Sequence, residues 1–154
     1  MNRAPRLGGR GIYLAATLYG LARWRPARFN LEVDGELCAF IGYMAAVANS
    51  GRFGGGMRLA PEARVDDGLL DLVVIEDVSR LHFIRATPKV FKDTHGTEAN
   101  VHMRKASTVR LDADSRFAVY ADGDELAVTP ARVSAIPAAF RARVPASVST
   151  CRMA

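Results

Sequence analysis

The stretch "RFNLEVDGELCAF", residues 28–40, constrains the fold of this chain more than any other. Phe29, Leu31 and Val33 alternate with polar neighbours, so they share one face of an extended strand, with Glu32 on the other. Asp34-Gly35 then interrupts the pattern. A two-residue Asp-Gly connection favours a turn with positive φ at both central positions, which matches the twist of the strands it joins. The stretch therefore predicts an antiparallel hairpin. A second Asp-Gly pair, Asp122-Gly123, lies inside "FAVYADGDELAV" and predicts another. Between them, "LLDLVVI" (residues 69–75) reads as a strand and the small apolar "AAVAN" (residues 45–49) as a buried one. From Ser107 onward the pattern is all strand, through "STVRLDAD" and on to "RVSAIPAAFRARV".

Helical signals are few. From about Ile12 to Arg25, Leu14, Leu18, Leu21 and Arg25 follow helical spacing, and Pro26 stops the run. "VSRLHFIRATPKVFKD" (residues 78–93) reads as a second helix, capped by Ser79, with Leu81, Ile84 and Arg85 at helical spacing and Pro88 kinking or splitting it. The expected fold is mainly β with two or three helices and without regular βαβ alternation, hence β-sandwich-like. At 154 residues one domain is expected over residues 1–154, with a core from about 9 to 145 and a loosely ordered tail over 146–154.

Composition narrows the function. Hydrophobic residues at 49% and charged residues at 24% suit a globular chain, not a disordered one. The net charge of +5 is carried by arginine, with Lys89, Lys92 and Lys105 the only lysines. A mildly basic domain attracts anionic lipid or nucleotide phosphate at long range. No basic block with interleaved aromatics points to nucleic acid. Cys38 and Cys151 make no disulfide framework, so a reducing compartment is expected. His82, His95 and His102 lack metal-ligand spacing. Arg3, Arg6 and Arg10 ahead of "GIYLAATLYGLA" have the look of a short signal peptide, but the run falls short of the roughly 20 apolar residues that span a bilayer. The amphipathic helix is the preferred reading.

Two short motifs carry candidate chemistry. "SGRFGGG" lacks the Lys-Ser/Thr of a phosphate-binding P-loop and reads as a tight, flexible loop. "RVDDGLL" places Asp66 and Asp67 at a turn entering an apolar strand. A carboxylate beside main-chain carbonyls freed by a turn offers part of the oxygen shell that Mg²⁺ favours, and the same residues equally make an ordinary strand-entry turn. In "VYADGDEL", a two-residue turn at Asp122-Gly123 makes Ala121 and Asp124 cross-strand partners, with Phe117 and Val119 on their face. Partial desolvation there raises a carboxylate pKa towards the range of a general base; the alternative is a solvated hairpin tip.

Taken in order, "RWRPARFNLEVDGE", "VANS", "GGGMRLAPEARVDDGLLDLVVI" and "VYADGDEL" resemble the C-terminal half of the diacylglycerol kinase catalytic family, which includes bacterial lipid kinases and is related to sphingosine kinases. The resemblance implies a Mg²⁺ site formed by the Asp67 carboxylate with the main-chain oxygens of Arg64 and Leu69. It implies that Asp124 is the general base that accepts the proton of a lipid hydroxyl, with Glu125 as runner-up. Many members carry glutamate where this chain has Asp124. The family's Gly-Gly-Asp-Gly-Thr nucleotide motif is absent from this sequence. ATP is therefore expected as co-substrate only if a separate nucleotide-binding domain supplies its site. The chain is expected to be the lipid-acceptor half of an ATP-dependent lipid kinase, inactive alone, and to come from a truncated or split gene, a wrongly placed start or a stand-alone remnant. The alternative is a non-catalytic lipid-binding or interaction module. Its expected partners are a lipid substrate, a membrane surface, and a nucleotide-binding domain or a second copy of itself, in the cytoplasm or at the inner face of the membrane.

Overall fold

The computed structural model describes residues 25–52, 57–92 and 94–141. The expected helix over residues 12–25 and the tail over 146–154 lie outside them, Arg25 apart.

β1 (Ala27–Val33) and β2 (Glu36–Ala48) form the predicted hairpin, with Val33 opposite Glu36 across the turn. Asp34 and Gly35 take φ of 51° and 88°, the left-handed pair that an Asp-Gly connection supplies. β3 (Leu70–Glu76) leads to α1 (Arg80–Ala86), a 3₁₀ turn over Thr87–Phe91 and another over His95–Thr97. β4 (Val101–Ala106), β5 (Thr108–Ala113), β6 (Ala118–Ala121), β7 (Asp124–Val128) and β8 (Ala131–Ser134) follow. Six strands form one antiparallel sheet in the order β4-β3-β2-β1-β5-β8, and β6 and β7 pair separately. The fold is mainly β and sandwich-like, as expected.

The sandwich arises because β2 serves two layers. Its first half, up to Gly42, pairs with β1, while the second half pairs with β3. A register shift falls between Gly42 and Met44, where the strand bends. Gly42 is required at that bend: a Cβ there would lie 2.3 Å from the Ile75 carbonyl oxygen. The bend turns Leu31, Val33, Val109 and Leu111 of one layer towards Leu72, Val74 and Ala106 of the other, and these seven buried residues make the main core. Burying a large aliphatic side chain contributes about 1.5–3 kcal/mol, so this cluster dominates the stability of the fold. Asp34 closes the corner between the layers: its carboxylate accepts the backbone N–H of Ser107 at 3.0 Å and of Thr108 at 2.8 Å.

Two segments depart from the sequence reading. β4 was not legible, because its middle four residues are exposed and polar or long-chained, as befits an edge strand. The strand expected over residues 132–144 ends at Ser134. Pro137 has no N–H to donate to a ladder, and Ala138 turns at φ 54°. The helix expected over 78–93 does start at Ser79, whose hydroxyl accepts the His82 N–H, and it tightens to a 3₁₀ turn at Pro88. Its Leu81 and Ile84 are exposed; burial at this helix runs through Phe83, which meets Tyr43 edge-on.

A smaller core ties this helical layer to the sheet. Leu59 and Ala60 pack on Val73, and the His95 imidazole, fully buried, contacts the Leu59 carbonyl oxygen through Nε2 at 2.9 Å. His82 Nε2 lies 2.8 Å from the Glu98 carboxylate, and Lys89 pairs with the same group. Both contacts hold the Glu98 carboxyl below the usual carboxylate range, the Lys89 hydrogen bond foremost.

Candidate functional site

The turn at Asp66-Asp67-Gly68 sits where β3 begins, with Gly68 at φ 72° packed beside Pro137. Its two acids have different duties. Asp66 faces outward and takes Arg64, with Nε to Oδ1 at 3.1 Å and the second contact at 3.3 Å. That bidentate pair lowers the Asp66 pKa and raises that of Arg64. Asp67 turns to its own backbone and to the sheet. Oδ1 accepts the Leu69 N–H at 3.0 Å, and Oδ2 accepts the Lys105 ammonium at 2.7 Å. The Lys105 contact, then the Leu69 N–H, holds the Asp67 carboxyl below its ordinary value.

Lys105 also reaches Asp71, at 3.5 Å. Asp71 and Lys105 are directly opposed across β3 and β4, so the sheet register itself sets the pair. Asp71 is the polar break in "LLDLVVI", and its side chain is only 10% exposed. Two carboxylates thus converge on one ammonium, leaving one net negative charge. Lys105 is the residue that sequence reading missed. Only the β3–β4 register could have brought it to the turn.

The oxygen-rich character of this turn suits a hard divalent cation. No group of three or more His, Cys, Asp or Glu forms a metal cluster among the described residues, so a cation here would rely on main-chain oxygens and water beside Asp67. It would also share Asp67 Oδ2 with the Lys105 ammonium.

Asp124 lies elsewhere. β6 and β7 form the predicted hairpin, with Ala121 opposite Asp124, and Asp122 and Gly123 at φ 53° and 100°. A register shift between Val119 and Tyr120 interrupts the expected alternation. Phe117 is held against Phe29, with ring centroids 5.8 Å apart, but Ala121, Asp124 and Glu125 are all exposed. Glu125 accepts the Tyr120 hydroxyl at 3.2 Å, which raises the Tyr120 pKa. Leu126 and Tyr120 are 69% and 64% exposed, so the hairpin shows apolar surface on both strands. The Asp67 turn adjoins the Ala106–Thr108 corner, whereas the hairpin leaves β5 at its far end, Ala113. No hydrogen bond or ion pair links the two among the described residues.

An open cavity of about 580 Å³ adjoins the same turn, lined by Ser50, Arg52, Arg58, Arg64, Val65 and Asp66 among others. No helix among the described residues is long and apolar enough to cross a membrane.

Comparison with known proteins gives this geometry its context. Residues 1–144 match the model of the YegS C-terminal NAD kinase beta sandwich-like domain. A Mycobacterium tuberculosis diacylglycerol kinase is 37% identical over 142 residues, 91% of this chain and 45% of that protein. A Bacillus subtilis diacylglycerol kinase is 24% identical over 116 residues, 75% of this chain and 38% of that protein. The chain thus spans less than half the length of these relatives. A crystal structure of a diacylglycerol kinase from Bacillus anthracis superposes with a TM-score of 0.59 at 20% identity, over 78% of this chain and 43% of that one. That likeness speaks for the fold.

Proposed function

The chain belongs to the YegS C-terminal NAD kinase beta sandwich-like domain family, that of the diacylglycerol and lipid kinases, and from this premise we propose that it forms the lipid-acceptor half of an ATP-dependent lipid kinase. The observation that carries the reading is the β6–β7 hairpin. Its tight turn holds Asp124 at an exposed tip beside the apolar Tyr120 and Leu126. A carboxylate so presented can reach a hydroxyl whose acyl chains lie on the neighbouring apolar surface.

In the proposed reaction the lipid hydroxyl oxygen attacks the γ-phosphorus of ATP. A new P–O bond forms, the bond to the β-phosphate oxygen breaks, and the hydroxyl proton passes to Asp124. Such transfers depend mainly on positioning and on stabilising charge. The nucleotide site and its charge clamp would come from a separate nucleotide-binding domain. Mg²⁺ bound through Asp67, with the main-chain oxygens of Arg64 and Leu69, would brace the turn. A peripheral position at a membrane surface suits both the exposed hairpin and the net charge of +5.

The test supplies the chain with the nucleotide-binding half of a related kinase and follows phosphate transfer from labelled ATP to diacylglycerol. Activity that appears with the added domain and falls about 10²–10⁴-fold in Asp124→Asn is expected, the usual range for a general base. The exposed hairpin would serve equally as a lipid-binding surface without chemistry, and restored lipid binding without transfer would favour that second reading.

A further inference from the structure

The β6–β7 hairpin stands apart from the main sheet. Its two strands pair with each other and with no other strand among the described residues. None of residues 118–128 is buried, so no core side chain along the hairpin fixes its direction. That direction has to be set where the chain leaves the sheet after β5 and returns to it at β8. The leaving leg is tied at Asp114, whose N–H donates to the Arg28 carbonyl at 3.1 Å, and the returning leg at Ala131, opposite Leu111.

Thr129 joins the two legs. It is 7% exposed, the one buried residue between Leu111 and the end of β8. Its hydroxyl accepts the Phe117 N–H at 3.0 Å and donates to the Ser115 carbonyl at 3.4 Å. Its own N–H donates to the Phe117 carbonyl at 2.9 Å. Phe117 in turn lies against Phe29, which stacks on Phe40 with ring centroids 5.0 Å apart. One hydroxyl thus locks the two legs together, beside the aromatic contact that the hairpin base makes with the main sheet.

We propose that Thr129 is a positioning residue for the phosphoryl transfer: its hydroxyl sets the angle of the hairpin and so the place of the Asp124 carboxylate. Asp124 stands five positions from Thr129, at the far end of β7. At about 3.3 Å per residue this arm is about 16 Å long, and a tilt of about 10° at its base moves the carboxylate by about 3 Å. A general base has to lie about 2.6–3.2 Å from the hydroxyl it serves, and a misplacement of about 1 Å can cost about 10²-fold in rate. Valine would keep the shape of Thr129 without its donor and acceptor, and serine would keep both. Thr129 touches no substrate; it acts through Asp124, and its role rests on Asp124 being the base.

The experiment supplies the chain with the nucleotide-binding half of a related kinase and measures transfer from labelled ATP to diacylglycerol in a double-mutant cycle. Thr129→Val is expected to lower kcat about 10- to 100-fold with KM little changed, and Thr129→Ser to keep most of the activity. In the Asp124→Asn background Thr129→Val should cost less than about threefold, because the group it places is gone. Hydrogen exchange should rise in peptides covering residues 115–129 of Thr129→Val and stay at the wild-type level in those covering β1 and β5. If Thr129→Val does not fold, Thr129→Cys, of similar volume and with weaker hydrogen bonds, is read in its place. Three results overturn the role of Thr129 and leave Asp124 as the base: equal losses in the two backgrounds, unchanged exchange in the hairpin, or full activity of Thr129→Val where Asp124→Asn is impaired. No transfer by the wild type, or an Asp124→Asn variant as active as wild type, overturns the assignment of the base and that of Thr129 with it.

Discussion

His95→Ala tests whether the buried imidazole anchors the loop ahead of β3 to the helical layer. His95 is 2% exposed, and its Nε2 contacts the Leu59 carbonyl, while Nδ1 is buried with no hydrogen-bond partner among the described residues. Truncation removes the ring and leaves a void beside Leu59 and Ala60. Large aromatic truncations in a core cost about 3–5 kcal/mol, and a partly polar imidazole belongs at the low end of that range. The Leu59 carbonyl is then left unpaired, which adds about 1–3 kcal/mol if water cannot reach it. Removing the unpartnered Nδ1 returns a similar amount. The net expectation is about 3 kcal/mol, within the 5–15 kcal/mol of a typical domain, so the variant should still fold. Urea denaturation should show the lowered midpoint. Hydrogen exchange should rise first in peptides covering residues 57–69, ahead of those covering β1 and β5, because the Leu59–His95 contact joins that loop to the helical layer. A loss below about 1 kcal/mol, or exchange that rises evenly through the domain, would refute the idea that His95 anchors the loop.

Three further outcomes follow from the same geometry. The Asp67 carboxyl is depressed in the folded state, so its contribution is in place above the unfolded value of about 3.9 and is lost as pH falls through the lower folded value; wild-type melting temperature should drop there more than that of Asp67→Asn. If Asp67 also ligates Mg²⁺, the ion should raise the melting temperature of wild type but not of Asp67→Ala; curves indifferent to both Mg²⁺ and EDTA would count against the site. In the reconstituted kinase, Asp124→Glu should retain activity and Glu125→Gln should cost far less than Asp124→Asn; the reverse order of damage would make Glu125 the base.

What was legible in the sequence was local. Asp-Gly pairs flanked by alternating residues fixed both hairpins, because the left-handed turn and the period of two are properties of a few adjacent residues. Ser79 and Pro88 marked the helix for the same reason. The features that escaped depend on partners far along the chain. Asp34 was legible as a turn residue but not as the acceptor for Ser107 and Thr108. Asp71 stood out as a polar break in a buried strand, yet its partner Lys105 lies on an edge strand with no hydrophobic period to reveal it. The buried role of His95 was hidden likewise: a lone histidine in a polar stretch carries no sign that it will pack against Leu59.

The charges at this end of the sheet form an inner and an outer group. The Lys105–Asp67–Asp71 group fixes the mouth of β3, and the Arg64–Asp66 pair lies one step further out on the same turn. The inner carboxylate is therefore committed to structure, and the outer pair faces the cavity. Neutralising Lys105 should disturb both, since Asp71 would then be a nearly buried carboxylate without its cation and the turn carrying Arg64 would lose its anchor. Neutralising Asp66 should act on the outer pair alone: it frees Arg64 and leaves the Asp67 contacts in place. Asp66→Asn is thus expected to leave the urea midpoint nearly unchanged, because an exposed ion pair contributes little, whereas Lys105→Met should lower it clearly. A midpoint that falls as far in Asp66→Asn as in Lys105→Met would mean that the outer pair also holds the turn.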